Sequence, residues 1–361
     1  MPSPRPSVVY LGLYDPRDAP GVHKKILGTL KAAAAAGYET RRWSEPFVGG
    51  APLRHIFAEI LRSRETHIIL RSLGWANLFV VPALCIARLR KQRVVIEVPT
   101  PHRIGVREVW ISDQSTWRRI RTVALLYASG PWSFWPASRI IQYADEGAWF
   151  RFGNRAKTVK VGNGVDVEST PQRGAAPEWP APVLRLIGVA TLVSWHGYDR
   201  LIRAIGEFQA DPARPFDVHF TIVGDGPALD DLTRLTAQLG LTDHVTFAGV
   251  LAGDEVYRCY DRSHLGVSAL AIHRKGLHEA SALKAREYSA AGLPFIASGH
   301  DPDFGPDVAF RIEVASSEDT ATLIDAFRDF GRRRALFSDD DIRQYAVEKL
   351  DFSHKLESLI T

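Results

Sequence analysis

Apolar positions in this chain gather in short uninterrupted runs, each closed by a loop and followed by a longer stretch with helical spacing. In the first half the runs Val8–Leu13, Thr66–Arg71, Arg93–Val98, Arg139–Tyr143 and Thr158–Gly162 read as strands. Runs of this kind, without polar alternation, belong to strands covered on both faces. Helix patterns lie between them at Val22–Ala36, ending at Gly37, at Ala76–Arg90 and at Asp145–Phe152. Strand and helix in alternation predict a doubly wound parallel sheet. The stretch Ser169–Pro182, STPQRGAAPEWPAP, breaks the pattern with Pro, Ala and Gly and marks a domain boundary. The alternation then restarts. Strands are expected at Arg185–Val189, Val218–Val223, Val245–Gly249, Leu265–Ser268, Phe295–Ser298 and Phe310–Val314. Helices are expected at Leu201–Gln209, Ala228–Leu239, Asp254–Arg262, Ala285–Ala291, Ser317–Arg333 and Asp339–Lys349, with a helical tail at Phe352–Ile360. The fold class is therefore α/β with two Rossmann-like domains, residues 1–168 and 183–340, around a linker at 169–182.

A length of 361 residues favours two cores over one. No apolar run reaches the roughly 18 residues that a membrane helix needs, and the start, MPSPRPSVVYLGL, lacks the apolar core of a signal peptide. Cys85 and Cys259 match no metal spacing and read as reduced thiols, which points to a cytoplasmic protein. Charge changes the picture more. Residues 1–175 hold 26 Lys and Arg against 13 Asp and Glu, and the remainder reverses the sign. A basic half calls for an anionic partner. No nucleic-acid motif is present, which leaves a membrane surface or lipid phosphate. Within that half, Arg103, Arg107, Arg118, Arg119 and Arg121 interleave with Trp110, Trp117, Trp132, Phe134 and Trp135. This pairing suits a membrane interface; indoles buried between domains are the alternative.

The candidate chemistry centres on His273–Gly299, HRKGLHEASALKAREYSAAGLPFIASG. Glu279 falls in a loop and Glu287 lies eight positions on, inside the helix that ends at Gly292. Backbone amides at that helix start can hold an anion such as a diphosphate. An ordinary loop and helix with solvated charges is the plain alternative. Ligands in open α/β sheets sit beyond the carboxyl ends of the strands. That places the turn Glu97-Val98-Pro99-Thr100-Pro101-His102 on the site side; Gly21 stands in the turn after the first strand, and the loop Ala190–Trp195 leads to His196. Gly224 and Gly226, in Gly224-Asp225-Gly226-Pro227, permit a tight strand-to-helix turn, and Asn163-Gly164-Val165-Asp166 reads as another turn.

HEASALKAREYSAAGLPFIAS resembles the Glu-x7-Glu segment of the retaining glycosyltransferases of family 4, above all the branch that builds bacterial exopolysaccharides and surface glycans. The Glu-Val-Pro-Thr, Asn-Gly-Val-Asp and Val-Gly-Asp-Gly-Pro turns are similar to that family as well. The resemblance implies the GT-B arrangement, two Rossmann-like domains facing across a cleft, with the segment 341–361 returning to the first domain. It implies a donor nucleotide sugar, UDP- or GDP-linked, on the second domain and a glycan or polyprenyl-diphosphate-linked acceptor on the first. Glu279 takes the position that contacts the donor sugar and Glu287 the position that contacts the ribose. Ala280, Ser281, Ala282 and Leu283 form the phosphate-holding turn. By its position His102 is a candidate sugar- or acceptor-contacting residue, with Glu97 either its orienting partner or a cap on the strand, and the resemblance puts Gly21 at the cleft. The family's diphosphate-binding Arg and Lys fall at Thr191 and His196 here, so Lys284, or Arg286, is expected to supply the missing cation. No metal or other cofactor is expected, because helix ends and cations neutralise the diphosphate, and Asp339-Asp340-Asp341 reads as a helix start. The expected location is cytoplasmic, peripheral on the inner face of the plasma membrane. Rival readings are an epimerase or phosphorylase on the same fold, and a non-catalytic nucleotide-sugar-binding subunit that docks a membrane partner. An NAD dehydrogenase is disfavoured, since no Gly-x-Gly-x-x-Gly follows a predicted strand.

Overall fold

Strands β1 (Ser7–Leu13), β2 (Glu39–Glu45), β3 (His67–Arg71), β4 (Arg93–Val98), β5 (Arg139–Gln142) and β6 (Thr158–Lys160) form one parallel sheet in the order β2-β1-β3-β4-β5-β6. The structure is a computed structural model and describes residues 5–17, 19–111 and 115–360. Helices α1 (Pro20–Ala35), α2 (Ala51–Arg62), α3 (Asn77–Leu89), α4 (His102–Ile111) and α5 (Thr116–Ser129) connect the strands. Alternate strand residues face opposite layers. Val9, Leu11, Ile68, Leu70, Val94 and Ile96 pack against Ile56 and Ile60 of α2 and Val80, Leu84 and Ala87 of α3. Val8, Tyr10, Ile69, Val95 and Ile141 pack against Ile26, Leu30 and Ala33 of α1. Cover on both sides is why these strands read as unbroken apolar runs.

The second sheet contains β7 (Val183–Val189), β8 (Asp217–Val223), β9 (Val245–Gly249), β10 (Leu265–Val267), β11 (Phe295–Ser298) and β12 (Arg311–Val314), all parallel, in the order β12-β11-β10-β7-β8-β9. Its helices are α6 (Tyr198–Ala210), α7 (Leu229–Gln238), α8 (Asp254–Asp261), α9 (Leu283–Ala291), α10 (Ala321–Arg334) and α11 (Asp339–Tyr345), the last running into a π-helical turn at Ala346–Leu350. One face buries Leu184, Leu186, Phe220 and Ile222 with Leu201, Ile205 and Phe327; the other buries Ile187, Tyr288, Phe295 and Leu293.

The chain divides into Met1–Gly164 with Phe352–Thr361, and Val165–Asp351. The closing helix α12 (Phe352–Ile360) completes the first unit: Leu356, Leu359 and Ile360 join the layer of α1. Phe352 lies against two glycines, Gly28 and Gly164, where a Cβ would come within 2.3 Å and 2.5 Å of its ring.

Several expectations need correction. The segment 169–182 is no free linker. It belongs to the second unit, where Arg173 donates to Asp339 at 2.7 and 2.8 Å and to the Ser263 carbonyl at 2.8 Å. Residues 341–351 also stay with the second unit, so the return starts at Phe352 rather than at 341. No helix forms over Asp145–Phe152. Glu146 turns its carboxylate onto the backbone amides of His102, Arg103 and Gly147 instead. Strand β2 and helix α2 were not anticipated. β2, ETRRWSE, is a polar strand at the edge of the sheet, where burial imposes no apolar pattern.

Candidate active site

Each sheet has one switch point, where the strand order reverses and a crevice opens beyond the carboxyl ends. In the C-terminal unit it lies between β7 and β10. Two loops meet there. The loop after β7 forms a short 3-10 turn at Ser194–His196, and the loop after β10 forms another at Ile272–Lys275. They are joined by Leu270 N–H to the His196 carbonyl (3.0 Å) and Ala271 N–H to the Trp195 carbonyl (3.3 Å). Gly197 at φ 67° permits this approach, since a Cβ there would meet Leu270 and Ala271 at 3.0 Å. Arg274 pins the arrangement, bidentate to Asp199 at 2.8 Å and also bonded to Glu318 and the Ser194 carbonyl. Arg200, 1% exposed, gathers the carbonyls of Leu270, Ala315 and Asp319.

The Glu-x7-Glu segment continues from the β10 loop. Glu279 is placed by a bridge to His300, with Ala280 N–H donating to the His300 carbonyl at 3.0 Å and His300 N–H to the His278 carbonyl at 2.9 Å. Ala280, Ser281 and Ala282 then lead into α9. Ala282 is the N-cap and its side chain makes no capping bond; the first amides, Leu283 among them, head the positive end of the helix. Gly292, left-handed at φ 80°, ends α9 as its place in the sequence suggested.

Lys284 sits in the first turn of α9, with its Nζ 3.3 Å from the Tyr198 hydroxyl and 5.3 Å from the centre of that ring. Burial pushes this lysine down to about 7, with Glu287 one turn along opposing the shift. His196 lies between Trp195 and Tyr198, with ring centres at 6.3 and 5.7 Å. Burial first, then Lys284 and Lys275, hold it down to about 2, so it is a neutral imidazole, and its Nδ1 is buried without a hydrogen-bond partner. Lys275 rests on the Trp195 ring at 4.3 Å. Arg286 is not the replacement cation. It is fully buried and spent on Asp301 (2.6 Å) and Asp303 (2.5 Å).

Gly224 and Gly226 pack directly against the loop that follows β7. Their φ values are 131° and 156°, and a Cβ would meet the Ala190 carbonyl oxygen at 1.8 Å and the Leu192 oxygen at 2.5 Å. They let the turn after β8 support the loop that carries Thr191, which is itself exposed.

In the N-terminal unit the switch point lies between β1 and β3. Gly21 falls in the first turn of α1, which begins at Pro20 and not at Val22. Glu97 does not orient His102. It is 2% exposed at the end of β4, paired with Lys25 and accepting a 2.7 Å hydrogen bond from the Tyr143 hydroxyl. His102 takes Glu146 as its partner, Nδ1 to carboxylate at 3.0 Å, and stacks on Phe150 at 4.9 Å. Its neighbours hold the Glu146 carboxyl below the usual range against the pull of burial. Among the described residues no group of three or more His, Cys, Asp or Glu side chains is placed to hold a metal ion. Sequence reasoning missed Arg200, Tyr198 and Glu146, whose partners lie 44 to 122 positions away; Lys25, which stands near a helix start where it could reach an anion, is paired with Glu97 on β4.

Two parallel six-stranded sheets, each with a switch-point site, define a pair of Rossmann-like domains, the composition of GT-B glycosyltransferases. Sucrose-phosphate synthase from Thermosynechococcus elongatus has this fold, with a TM-score of 0.65 at 14% identity over 98% of both chains. Residues 183–329, which hold the β7–β10 site, match the family model described as Glycosyl transferases group 1. The chain is 34% identical over 92 residues to the 2-deoxystreptamine glucosyltransferase of Streptomyces kanamyceticus, covering 26% of this chain and 22% of that one. It is 31% identical over 121 residues to the GDP-mannose-dependent alpha-(1-6)-phosphatidylinositol monomannoside mannosyltransferase of Mycolicibacterium smegmatis, covering 33% and 31%. These matches span less than a third of the relatives' own length.

Proposed function

We propose that this chain is a retaining glycosyltransferase of family 4 that moves a sugar from a UDP- or GDP-linked donor to a glycan or lipid-linked acceptor in bacterial surface-glycan synthesis. The observation that carries the reading is the head of α9 at the β7–β10 switch point, with Glu279 before it and Lys284 and Glu287 on it, inside the segment that matches group 1 glycosyl transferases. A diphosphate seated on those amides meets a positive helix end and the Lys284 ammonium. These stabilise the departing nucleoside diphosphate, so the reaction runs without a metal. Glu279 positions the donor sugar and Glu287 binds the ribose. His102, held by Glu146, contacts the sugar or acceptor.

The acceptor side works at a membrane in this reading. Trp110, Trp117, Ile120 and Trp135 are exposed on α4, α5 and the turn after them, with Arg118 and Arg121 beside them. Indoles at head-group depth and arginines on lipid phosphate hold a peripheral protein on an anionic inner leaflet. No helix among the described residues is long and apolar enough to cross a membrane. The relative from Mycolicibacterium smegmatis acts on a phosphatidylinositol mannoside, which fits a lipid-linked acceptor.

Thermal-shift screening against UDP, GDP and their sugars, with EDTA present, tests the donor reading, since a bound ligand raises the melting temperature by mass action. One nucleotide should stabilise the protein, equally with and without EDTA, and no response to any of them sinks the proposal. The loss of the family's Arg and Lys at Thr191 and His196 favours a second reading, a non-catalytic binding subunit. Under it, Glu279→Ala would leave glycan synthesis intact in cells where deletion of the whole chain abolishes it.

A further inference from the structure

We propose that the crevice at the β1–β3 switch point binds an anionic group of the acceptor, a phosphate or a carboxylate, with Arg71 as its principal ligand. The identity of the ligand as an acceptor rests on the transferase reading; the anion site itself does not. Arg71 is the last residue of β3, Glu97 the fifth of β4, Tyr143 follows β5 and Lys25 lies in α1, so four elements bring polar side chains to the carboxyl edge of one sheet. Open α/β sheets bind their ligands at this edge and at this reversal.

Among the described residues the charges there do not balance. Glu97 gives its Oε1 to both Lys25 and the Tyr143 hydroxyl, and Lys25 also lies over the Tyr143 ring at 3.5 Å. One cation and one hydroxyl already satisfy that oxygen. Arg71 is a second cation. Its Nη1 stands 3.8 Å from Glu97 Oε2, beyond hydrogen-bond reach, and both atoms are buried without a hydrogen-bond partner. A structural ion pair needs one cation, and a second, largely buried one whose Nη1 finds no partner costs stability unless something else satisfies it. The wider surroundings are basic too. The Tyr14 hydroxyl reaches His23 Nδ1 at 3.2 Å, and Arg42 from β2 meets the same nitrogen at 2.8 Å. Asp15, next along the chain, is taken up by Arg17 at 2.8 to 3.2 Å. Burial drives Arg71 and Lys25 down and Glu97 up to about 7. An anion on Arg71 reverses the first two shifts, so it binds where the free protein is least comfortable with its own charge.

The test titrates the whole chain calorimetrically with glucose 6-phosphate, glucuronate and glucose. A Lys284→Met background keeps the donor site from competing. At least one charged sugar should bind about tenfold or more tightly than glucose, the worth of one charge-assisted hydrogen bond. Arg71→Gln should erase that margin without changing glucose binding, and Arg71→Lys should restore part of it. A margin confined to the phosphate identifies a phosphate-linked acceptor, and one confined to glucuronate an acidic sugar. Equal binding of all three sugars overturns the proposal, as does a margin that survives Arg71→Gln. If Arg71→Gln does not fold, the wild-type margin and its loss with added salt decide the matter. A margin in a protein that binds no nucleotide would keep the anion site and remove the transferase.

Discussion

Replacing Lys284 by Met isolates the cation on which the proposed donor grip depends. In the free protein burial holds this lysine at about 7, so above neutral pH it is largely an uncharged amine beside the Tyr198 hydroxyl. A diphosphate seated at the head of α9 favours the ammonium and raises its pKa. Binding at pH 8 must then take up a proton, approaching one per nucleotide. Affinity should fall as pH rises above 7, by up to tenfold per pH unit, until the pKa of the complex is passed. His196 does not contribute, because at about 2 it stays neutral throughout. One charge-assisted hydrogen bond is worth about 1.5–3 kcal/mol, so Lys284→Met should weaken the nucleoside diphosphate roughly 10- to 150-fold and leave the nucleoside unaffected. Titration calorimetry at pH 8 in buffers of different ionisation enthalpy reads the proton uptake directly. The same lysine sets a stability trend in the free protein. Unfolded, it titrates near 10.4; folded, at about 7. Between those values the unfolded chain holds more protons, so stability climbs with pH across that window, and Lys284→Met should remove the climb. Proton uptake unchanged in the variant, or an affinity flat from pH 7 to 9, refutes the assignment.

Glu279→Gln should slow sugar transfer by about 10²-fold through lost positioning while nucleotide affinity by calorimetry stays within about threefold; a normal rate removes Glu279 from the chemistry. Arg286→Met leaves Asp301 and Asp303 buried without their cation and should cost about 3–5 kcal/mol in urea unfolding. The triple change with Asp301→Asn and Asp303→Asn should recover much of that, and a single variant as stable as wild type would show the network to be slack. Trp117→Ala with Arg118→Ala and Arg121→Ala should weaken binding to anionic vesicles in a sedimentation assay. At about 1 kcal/mol per basic residue the two arginines alone account for roughly 30-fold. Unchanged sedimentation would move the membrane face elsewhere.

Much of the second unit was legible in advance, because its strands are buried on both faces and its helix ends carry signals. Gly292 stops α9 where a left-handed residue is required, and the acidic run at Asp339 does start a helix, capped by Ser338. The first unit was harder to read. Helical spacing at Asp145–Phe152 lost to a tertiary use of Glu146, whose carboxylate caps α4 from outside. Glu97 and His102 are close in sequence, and the pairing that proximity suggested is wrong. A neighbouring strand brings Tyr143 and helix α1 brings Lys25 to Glu97, and a loop brings Glu146 to His102. Nothing local encodes such contacts. The role of Gly224 was half legible: the tight turn was evident, but the backbone it presses on, Ala190, comes from another strand's loop.

The departure from the family's Arg and Lys looks different once the loops are in place. At Thr191 the β7 loop offers no cation, and at His196 it offers a neutral ring wedged between Trp195 and Tyr198. Tyr198, the first residue of α6, lies against Lys284 and directs it to the head of α9. In the proposed reading the positive charge moves from the β7 loop to the helix whose amides would hold the same phosphates. A grip concentrated on one lysine and one helix end responds to pH where an arginine would not, since a guanidinium keeps its proton throughout. Under the proposed reading nucleotide binding is then strongest below neutrality, through Lys284.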